Sequence, residues 1–553
     1  MFYARILHYE DDLFSVGRYC YGGSPSGLYF MELYSLLFIL FIGMIMLFYY
    51  TFLKRFQWIL LLAASLSFYF VAGSGNLFFI LITALTVWGG GYLISNISAN
   101  FTAYKKSHKE LTKDEKKALK DKALLKKRLV LVSVLLINFG ILAYIKYWNF
   151  IFKTSAGLLL PLGISFYTFQ SISYLIDMYN DKYASEKNFF RFLLFVSYFP
   201  QLIQGPINRY DKLGVQFGSV HEFDPERTKR ALLLILFGLM KKYAIANMLS
   251  DSISLVFDGN LIGMSGALFV VAILMYSIQQ YADFSGGIDI VMGVSELFGI
   301  SMMRNFRQPY FATSLGDFWR RWHISLGAWM RDYIFYPFAL LKPMQNFGKW
   351  CGKHFGTHCK RVLPAGIANI LVFFIVGVWH GAEMHYVAWG LYNGIIIAIS
   401  DLAEPAFKKL NALLHINSDS KGMHVFRVIR TFFIVNIGWY FDRIYKVSDS
   451  FYCLNRTFFH FNHYDLKYNL NTVIFNESLT TPLYTMCCYI IAALATVVVI
   501  ISSVLKENGV DVYAFIQKKN IVIRWGILLI MIFLFLGSFM FTTSAGGFMY
   551  ANF

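Results

Sequence analysis

Two histidines are the residues of this sequence most suited to chemistry, because His323 lies among arginines and aromatic residues and His380 ends an otherwise apolar run. His323 ends the segment Phe318-Trp-Arg-Arg-Trp-His, and His380 stands between Trp379 and Gly381. An imidazole in apolar surroundings is disfavoured in its charged form, so a neutral nitrogen remains that can accept a proton near pH 7. We therefore interpret His380 as a candidate proton acceptor and His323 as an auxiliary site residue. A histidine that only packs in the interior is the alternative in each case.

Charged side chains are dense around His323 and Trp319, while Trp379 directly precedes His380; both tryptophans are predicted binding residues. Ionisable groups at membrane depth cost several kcal/mol unless they are paired or face water, so this density predicts a functional site in a protein-lined cavity. Guanidinium groups donate well to phosphates and carboxylates, which predicts a binding set for an anionic donor. The alternatives are arginines that reach to lipid headgroups and an acid that only pairs along its helix. The charged residues are Arg304, Arg307, Asp317, Arg320 and Arg321.

Five segments carry a family resemblance. They are Gly163-Ile-Ser-Phe-Tyr-Thr-Phe-Gln170, Phe199-Pro-Gln-Leu-Ile-Gln-Gly-Pro206, Asp317-Phe-Trp-Arg-Arg-Trp-His-Ile-Ser-Leu326, Arg331-Asp-Tyr333 and Val378-Trp-His-Gly381. Together they resemble the signature segments of membrane-bound O-acyltransferases. More narrowly, they resemble the bacterial branch with the alginate O-acetyltransferase membrane subunit and the teichoic acid D-alanyl transfer protein. The likeness is densest over about residues 163–394, with a weaker likeness at residues 548–553.

This resemblance implies an enzyme that moves an acetyl or similar short acyl group to a hydroxyl of an envelope polysaccharide. The expected donor is a cytoplasmic thioester, acetyl-CoA or an acyl carrier protein, and no tightly bound cofactor is expected. Transfer would be direct or would pass through a secreted acyltransferase partner. In this setting His380 would take the hydroxyl proton, and His323 would orient the thioester carbonyl or position the donor. The Arg331-Asp-Tyr segment looks closer to the polysaccharide O-acetyltransferases than to the D-alanyl proteins.

Composition independently predicts a polytopic membrane protein. Of 553 residues, 57% are hydrophobic and only 15% are charged, whereas soluble proteins average about 25% charged. The net charge of +18 does not indicate nucleic acid, because basic loops beside apolar spans follow the positive-inside rule. Residues 105–128 alone hold eleven Lys and Arg against four acids. Composition therefore predicts a multi-pass membrane protein with the lipid bilayer as a partner, and the resemblance implies that this membrane is the bacterial cytoplasmic membrane.

The predicted fold is all-α, with about 11–14 transmembrane or re-entrant helices around a central tunnel. We expect an N-terminal extension over residues 1–30 and one membrane domain over residues 31–553. Connectors at about 104–128 and 342–361 are predicted to lie on the cytoplasmic side. Both termini and a loop at about 448–481 are predicted to lie on the external side. The first connector should be a helical hairpin, and residues 189–207 a broken or re-entrant segment because two prolines interrupt them. Residues 267–281 and 288–300 are predicted to be separate spans.

Neither the cysteines nor two histidine-containing patterns predict a disulfide or a metal site. Six cysteines at positions 20, 351, 359, 453, 487 and 488 show no paired spacing. Cys351, His354, His358 and Cys359 have donors at plausible zinc spacing, but adjacent His358 and Cys359 do not easily serve one tetrahedral ion. The order His380, Glu383, His385 differs from a metalloprotease helix.

Two other functions remain open from the sequence. One is D-alanyl transfer to teichoic acid from a carrier protein. The other, from a different class, is a transporter or flippase, because discontinuous helices and buried charges also suit a substrate pathway. An acyltransferase consumes a thioester and a transporter does not. The sequence identifies neither the acceptor polymer nor the acyl group.

Overall fold

A computed structural model describes residues 35–72, 76–152, 161–462 and 482–541. The predicted extension 1–30, most of the predicted external loop and the motif at 548–553 lie outside the described residues. In chain order the α-helices are α1 Leu36–Tyr50, α2 Gln57–Ala72, α3 Asn76–Ser107, α4 Lys113–Phe152, α5 Ile164–Tyr179, α6 Phe189–Ser197, α7 Phe199–Gln204, α8 Pro225–Leu239, α9 Met248–Phe257, α10 Gly266–Leu297, α11 Leu315–Arg321, α12 Ile324–Met330, α13 Tyr336–Ala339, α14 Lys342–His380, α15 Met384–Leu413, α16 Lys421–Arg443, α17 Val447–Phe459, α18 Pro482–Glu507, α19 Val512–Gln517 and α20 Ile521–Phe541.

The predicted all-α membrane fold is confirmed. Within the described ranges the chain forms helices and no strands. Among the described residues, eight helical stretches are long and apolar enough to cross a membrane, and one of them joins α8 and α9 through a π-helical segment at Met240–Asn247. A ninth crossing is possible if α1 and the following helical segment, which are bent by 107° relative to each other, form one span. The central tunnel remains a prediction.

Contacts within the chain define two compact units. The first comprises described residues of Met1–Leu233 together with Val291–Met303. The second comprises Leu234–Ile290 and described residues of Arg304–Met549. The two histidines and the charged residues around His323 all lie in the second unit. The expectation of a single membrane domain over residues 31–553 stays a prediction.

The predicted helical hairpin at the first basic connector is present in the first unit. Helix α3 continues to Ser107 and α4 begins at Lys113, so the turn between them is short. Thr112 and Glu115 cap the second helix reciprocally: the Thr112 N–H donates to the Glu115 carboxylate at 2.8 Å, and the Glu115 N–H donates to the Thr112 hydroxyl at 3.3 Å. The basic side chains therefore extend from two continuous helices.

The predicted broken segment at residues 189–207 is also present in the first unit. It forms two short helices, α6 and α7, separated at Tyr198. Pro200 occupies the first turn of α7, where a missing N–H costs nothing. The Gln201 side chain donates to the Phe195 carbonyl at 2.7 Å, and Gln170 donates to the same oxygen at 2.6 Å. Side-chain amides thus satisfy backbone groups that the break leaves unpaired.

The prediction of separate spans at residues 267–281 and 288–300 is wrong, because α10 is one continuous helix. The polar residues in this segment indicated an interruption, but buried lysines form ion pairs with its carboxylates. Lys242 pairs with Asp283 at 2.5 Å, and Lys241 pairs with Asp289 at 2.6 Å. Paired charges are tolerated in an apolar interior, so the helix does not need to break.

Helix α14 contains the second basic connector and ends at His380. Its backbone reverses at Gly356, where φ is 89° and ψ is 174°, so two helical arms meet in a hairpin. Only glycine adopts this conformation readily. The arms pack closely, since a Cβ on Gly348 would lie 2.9 Å from the Lys360 carbonyl oxygen. The second arm then runs without interruption to the predicted catalytic residue.

Candidate active site

The segment that carries His323 is held by a second segment, residues 304–308, that runs antiparallel to it. The Arg307 N–H donates to the Arg321 carbonyl at 2.9 Å, and the Ile324 N–H donates to the Asn305 carbonyl at 2.9 Å. These bonds replace the helical pattern between α11 and α12. They place Asn305 beside His323.

Asn305 fixes the tautomer of His323. Its side-chain oxygen accepts hydrogen bonds from the Ser325 N–H at 3.1 Å and the Ser325 hydroxyl at 2.9 Å, which identifies that atom as the oxygen. His323 Nδ1 lies 3.1 Å from the same oxygen and must therefore donate. The neutral ring then has its lone pair on Nε2. In this tautomer Nε2 can accept a proton or a hydrogen bond, but it cannot donate to a thioester carbonyl.

His323 is buried and its backbone is in an unusual conformation. The residue is 3% exposed, and its φ of 47° and ψ of 52° lie in the left-handed region. Such conformations cost free energy and persist where the surroundings enforce them, often at functional sites. Burial also lowers the pKa of His323 from 6.5 to about 3. The imidazole is consequently neutral across the physiological pH range.

His380 and His323 contact the same tryptophan. The Trp379 ring centroid lies 6.2 Å from that of His323 and 5.1 Å from that of His380. His380 is 4% exposed and is the last residue of α14. His380 therefore lies at the carbonyl end of a helix, where positive charge is favoured. The structure thus brings together two histidines that are 57 positions apart in the sequence.

Aromatic rings and one amide complete the surroundings of His380. Trp389 lies 5.0 Å from His380 and 5.3 Å from Trp319 between ring centroids. The Trp319 Nε1–H donates to the Asn393 side-chain oxygen at 2.9 Å. Asn393 in turn donates to the Trp389 carbonyl at 2.8 Å. The predicted binding residues Trp319 and Trp379 therefore lie in the same cluster as the histidines.

Glycines allow α14 and α15 to approach closely enough to form this cluster. A Cβ on Gly377 would lie 2.4 Å from the Tyr386 carbonyl oxygen, and one on Gly390 would lie 2.3 Å from the Phe373 carbonyl oxygen. Either would force the helix backbones apart. The close crossing sets the position of His380 against Trp389.

The predicted arginines divide into two environments. Arg321 is held by ion pairs: its Nε lies 3.0 Å from Asp317 Oδ2, and its Nη1 donates to both Glu507 carboxylate oxygens at 2.9 Å. Arg320 is 72% exposed and lies 3.6 Å from Asp317. Arg304 and Arg307 are exposed as well. Arg321 thus has a structural role in the free protein, whereas the other three guanidiniums face outward, where an anion could reach them.

No group of three or more potential metal ligands occurs among the described residues. Cys351 is buried, whereas His354 is exposed and contacts the Trp350 carbonyl and His358 contacts the Asp401 carbonyl. His385 Nδ1 donates to the Phe441 carbonyl at 2.9 Å. A backbone oxygen lies within hydrogen-bond distance of each of these imidazoles.

Sequence reasoning missed the residues that orient the site. Asn305 stands between two arginines that suggested anion binding, and no spacing rule links it to His323. Ser325, Trp389 and Asn393 were likewise not identified. A buried network was also missed, in which the Tyr276 hydroxyl donates to Asp442 Oδ2 at 2.7 Å and Gln280 Nε2 donates to the same oxygen at 2.8 Å. A single carboxamide or hydroxyl in an apolar run gives no signal of its partner.

Known proteins resemble this chain over about half of its length or slightly more. A probable alginate O-acetylase AlgI of Pseudomonas syringae pv. tomato is 34% identical over 331 residues, which cover 56% of this chain and 57% of the relative. A peptidoglycan O-acetyltransferase of Helicobacter pylori is 30% identical over 360 residues, covering 59% and 63%. A teichoic acid D-alanyltransferase of Bacillus subtilis is 27% identical over 289 residues, covering 50% and 67%.

These relatives share about three-fifths of their length with this chain, so likeness is established for that part. Residues 182–349 match the family described as MBOAT, membrane-bound O-acyltransferase family. The matched range includes His323 and the four arginines and ends before His380. The predicted resemblance to the membrane-bound O-acyltransferase family is therefore confirmed, and the match to the family covers residues 182–349 in the central region of the chain.

Proposed function

We propose that this protein is a membrane O-acyltransferase that moves an acetyl or similar short acyl group from a thioester to a hydroxyl of an envelope polysaccharide. One observation carries the proposal: His323 and His380 are buried in the second unit and both contact Trp379. Two buried imidazoles beside one tryptophan suit proton transfer from a hydroxyl. The match of the surrounding region to the O-acyltransferase family supports the same chemistry.

In the proposed reaction His380 accepts the proton of the acceptor hydroxyl while its oxygen attacks the thioester carbonyl. The new C–O bond forms, the C–S bond breaks, and the thiolate leaves and takes up a proton. The helix end at His380 stabilises the transient positive charge. His323 Nε2 accepts a hydrogen bond from a reacting partner and positions it, because Asn305 holds the other ring nitrogen.

The exposed arginines suit the anionic part of a donor such as acetyl-CoA. Arg304, Arg307 and Arg320 lie on or beside the two antiparallel segments that hold His323. Guanidinium groups bind phosphates through paired hydrogen bonds. An acyl carrier protein is the other donor compatible with this surface. We assign donor binding to these three residues and a supporting role to Arg321, whose ion pairs fix the end of α11.

Acetyl transfer is favoured over D-alanyl transfer by the pattern of similarity. Relatives named as alginate or peptidoglycan O-acetylating proteins are 34% and 30% identical to this chain. Two relatives named as teichoic acid D-alanyltransferases are 27% and 26% identical. The acceptor is accordingly an envelope polysaccharide, reached directly or through a secreted transferase.

The enzyme would act across the cytoplasmic membrane. The basic segments at residues 105–128 and 342–361 fit the cytoplasmic side, and both termini would then lie outside. A donor made in the cytoplasm could in this way serve an acceptor outside. The buried Tyr276, Gln280 and Asp442 network adds polar groups inside the same unit as the histidines.

Thioester consumption tests the proposal. Purified protein in lipid vesicles should release free thiol from acetyl-CoA when an envelope polysaccharide fraction is present, with acetyl groups appearing on the polymer. D-alanyl carrier protein should give no transfer. Uptake of a substrate without thiol release from either donor would instead identify a transporter and refute the proposal.

A further inference from the structure

A groove of about 440 Å³ lies between helices α3 and α4 of the first unit. This volume falls within the range of roughly 300–1,000 Å³ that is typical of ligand pockets. The groove opens on the outer surface of the helix pair, where Leu85 is 58% exposed and Leu129 is 60% exposed. Its lining is mostly aliphatic or small and consists of Leu85, Thr86, Gly89, Gly90, Leu93, Leu129, Val130, Ser133, Val134 and Ile137.

Two adjacent glycines shape the groove in different ways. A Cβ on Gly90 would lie 2.8 Å from Val134 Cγ2, so Gly90 lets α3 and α4 approach each other. A Cβ on Gly89 would meet no atom within 4 Å, so Gly89 faces the open space. The absence of a side chain at Gly89 therefore leaves room for a molecule on the outer surface.

The dimensions of the groove suit one leaflet of a bilayer. Residues 129–137 of α4 span about 12 Å at 1.5 Å per residue. The hydrocarbon core of a bilayer is about 30 Å thick, so each leaflet contributes about half of that. Both helices meet the length and hydropathy requirements of membrane spans. The natural occupant of an apolar groove at this depth is a lipid acyl chain.

Positive charge continues the groove at one end. Lys126 lies three and four residues before Leu129 and Val130, and Lys122 lies four residues before Lys126, so both share the groove-lining face of α4. Both lysines are exposed. Lys122 is only about 10 Å along the helix from Leu129. Such lysines attract anionic lipid headgroups.

We infer that this groove binds one acyl chain of an anionic phospholipid, with the headgroup phosphate against Lys126 and Lys122. The apolar lining accepts the chain, Gly89 provides its space, and the two lysines select the charge. The site lies in the first unit and does not depend on the proposed acyl transfer.

Photolabelling in vesicles tests this inference. The full-length protein is reconstituted in phosphatidylcholine vesicles that contain a trace of phosphatidylglycerol with a diazirine in one acyl chain. After illumination, labelled peptides are identified by mass spectrometry. We expect label on residues 85–93 and 129–137, and much less label when the diazirine lipid is phosphatidylcholine.

Two variants and one control separate the parts of the site. Gly89→Leu should fill the groove and remove the label, whereas Gly43→Leu, on α1 and also in open space, should leave it unchanged. Both changes favour helix formation, so folding is retained. Lys122→Gln with Lys126→Gln should lower phosphatidylglycerol labelling roughly fivefold per lysine without affecting phosphatidylcholine.

Three results would overturn the inference. They are equal labelling by the two lipids, full labelling of the Gly89→Leu protein, and no label at these residues. The last would mean that another segment of the chain covers the groove.

Discussion

Replacing Asn305 with aspartate should change the pH dependence of the enzyme without removing either histidine. In the native site the neutral Asn305 oxygen accepts the proton of His323 Nδ1 at 3.1 Å. Aspartate keeps this acceptor and adds a negative charge beside the imidazole. The charge stabilises the imidazolium, so the pKa of His323 should rise.

The size of the effect follows from the native value. Burial holds the pKa of His323 at about 3, so the native imidazole is neutral at every pH in a practical assay. An opposite charge at this distance shifts a pKa by about 1–3 units, which moves the titration of His323 to roughly pH 4–6. Protonation removes the Nε2 lone pair. Activity of Asn305→Asp should therefore fall as the pH drops through that window, while native activity does not show this loss.

The assay is thiol release from acetyl-CoA between pH 4.5 and 8, expressed as the ratio of variant to native protein at each pH. Ser325→Ala is the matched control, because it removes another hydrogen bond to the same Asn305 oxygen without adding charge. Its ratio should not vary with pH. Superimposable profiles for Asn305→Asp and native protein, with both folded, would refute the role of His323.

Three further predictions concern stability, donor binding and sidedness. Asp283→Ala leaves Lys242 buried without its carboxylate and should lower the free energy of unfolding by about 3–5 kcal/mol, measured as a lower Tm. The double variant Asp283→Ala with Lys242→Met should recover most of this loss. Arg320→Ala should raise KM for acetyl-CoA and leave Tm unchanged, and an unaltered KM would exclude it from donor binding. In intact cells an impermeant maleimide should label Ser448→Cys and spare Lys117→Cys after native cysteines are replaced; the reverse pattern would invert the proposed topology.

Much of the fold could be predicted because the length of apolar segments and the prolines and charges that interrupt them are local properties of the sequence. Proline positions identified the break near residue 198, and the charge run identified the hairpin between α3 and α4. The continuity of α10 could not be predicted. Asp283 alone indicates a polar break in the apolar segment, whereas in the structure its charge is paired with Lys242. That pairing joins residues 41 positions apart and depends on tertiary structure.

In the candidate site, the sequence pointed to the two histidines but not to the residues that contact them. His323 and His380 stand in recognisable motifs, and the structure joins them through Trp379. The residues that orient them, above all Asn305, act through single hydrogen bonds that leave no periodic pattern. The different environments of Arg320 and Arg321 could not be predicted either. Only Arg321 pairs with Glu507, which lies on a helix almost two hundred positions later in the sequence.

The central claim is that His380 accepts the proton during acyl transfer, and a comparison of two neighbouring histidines tests it most directly. His380→Ala and His385→Ala proteins are expressed in cells that lack the native protein, and envelope polysaccharide acetylation is measured at matched membrane abundance. His385 is also buried, but its Nδ1 donates to the Phe441 carbonyl, outside the proposed chemistry. The account predicts that acetylation is lost by about 10²–10⁴-fold in His380→Ala and largely retained in His385→Ala. Near-native acetylation in His380→Ala would contradict it.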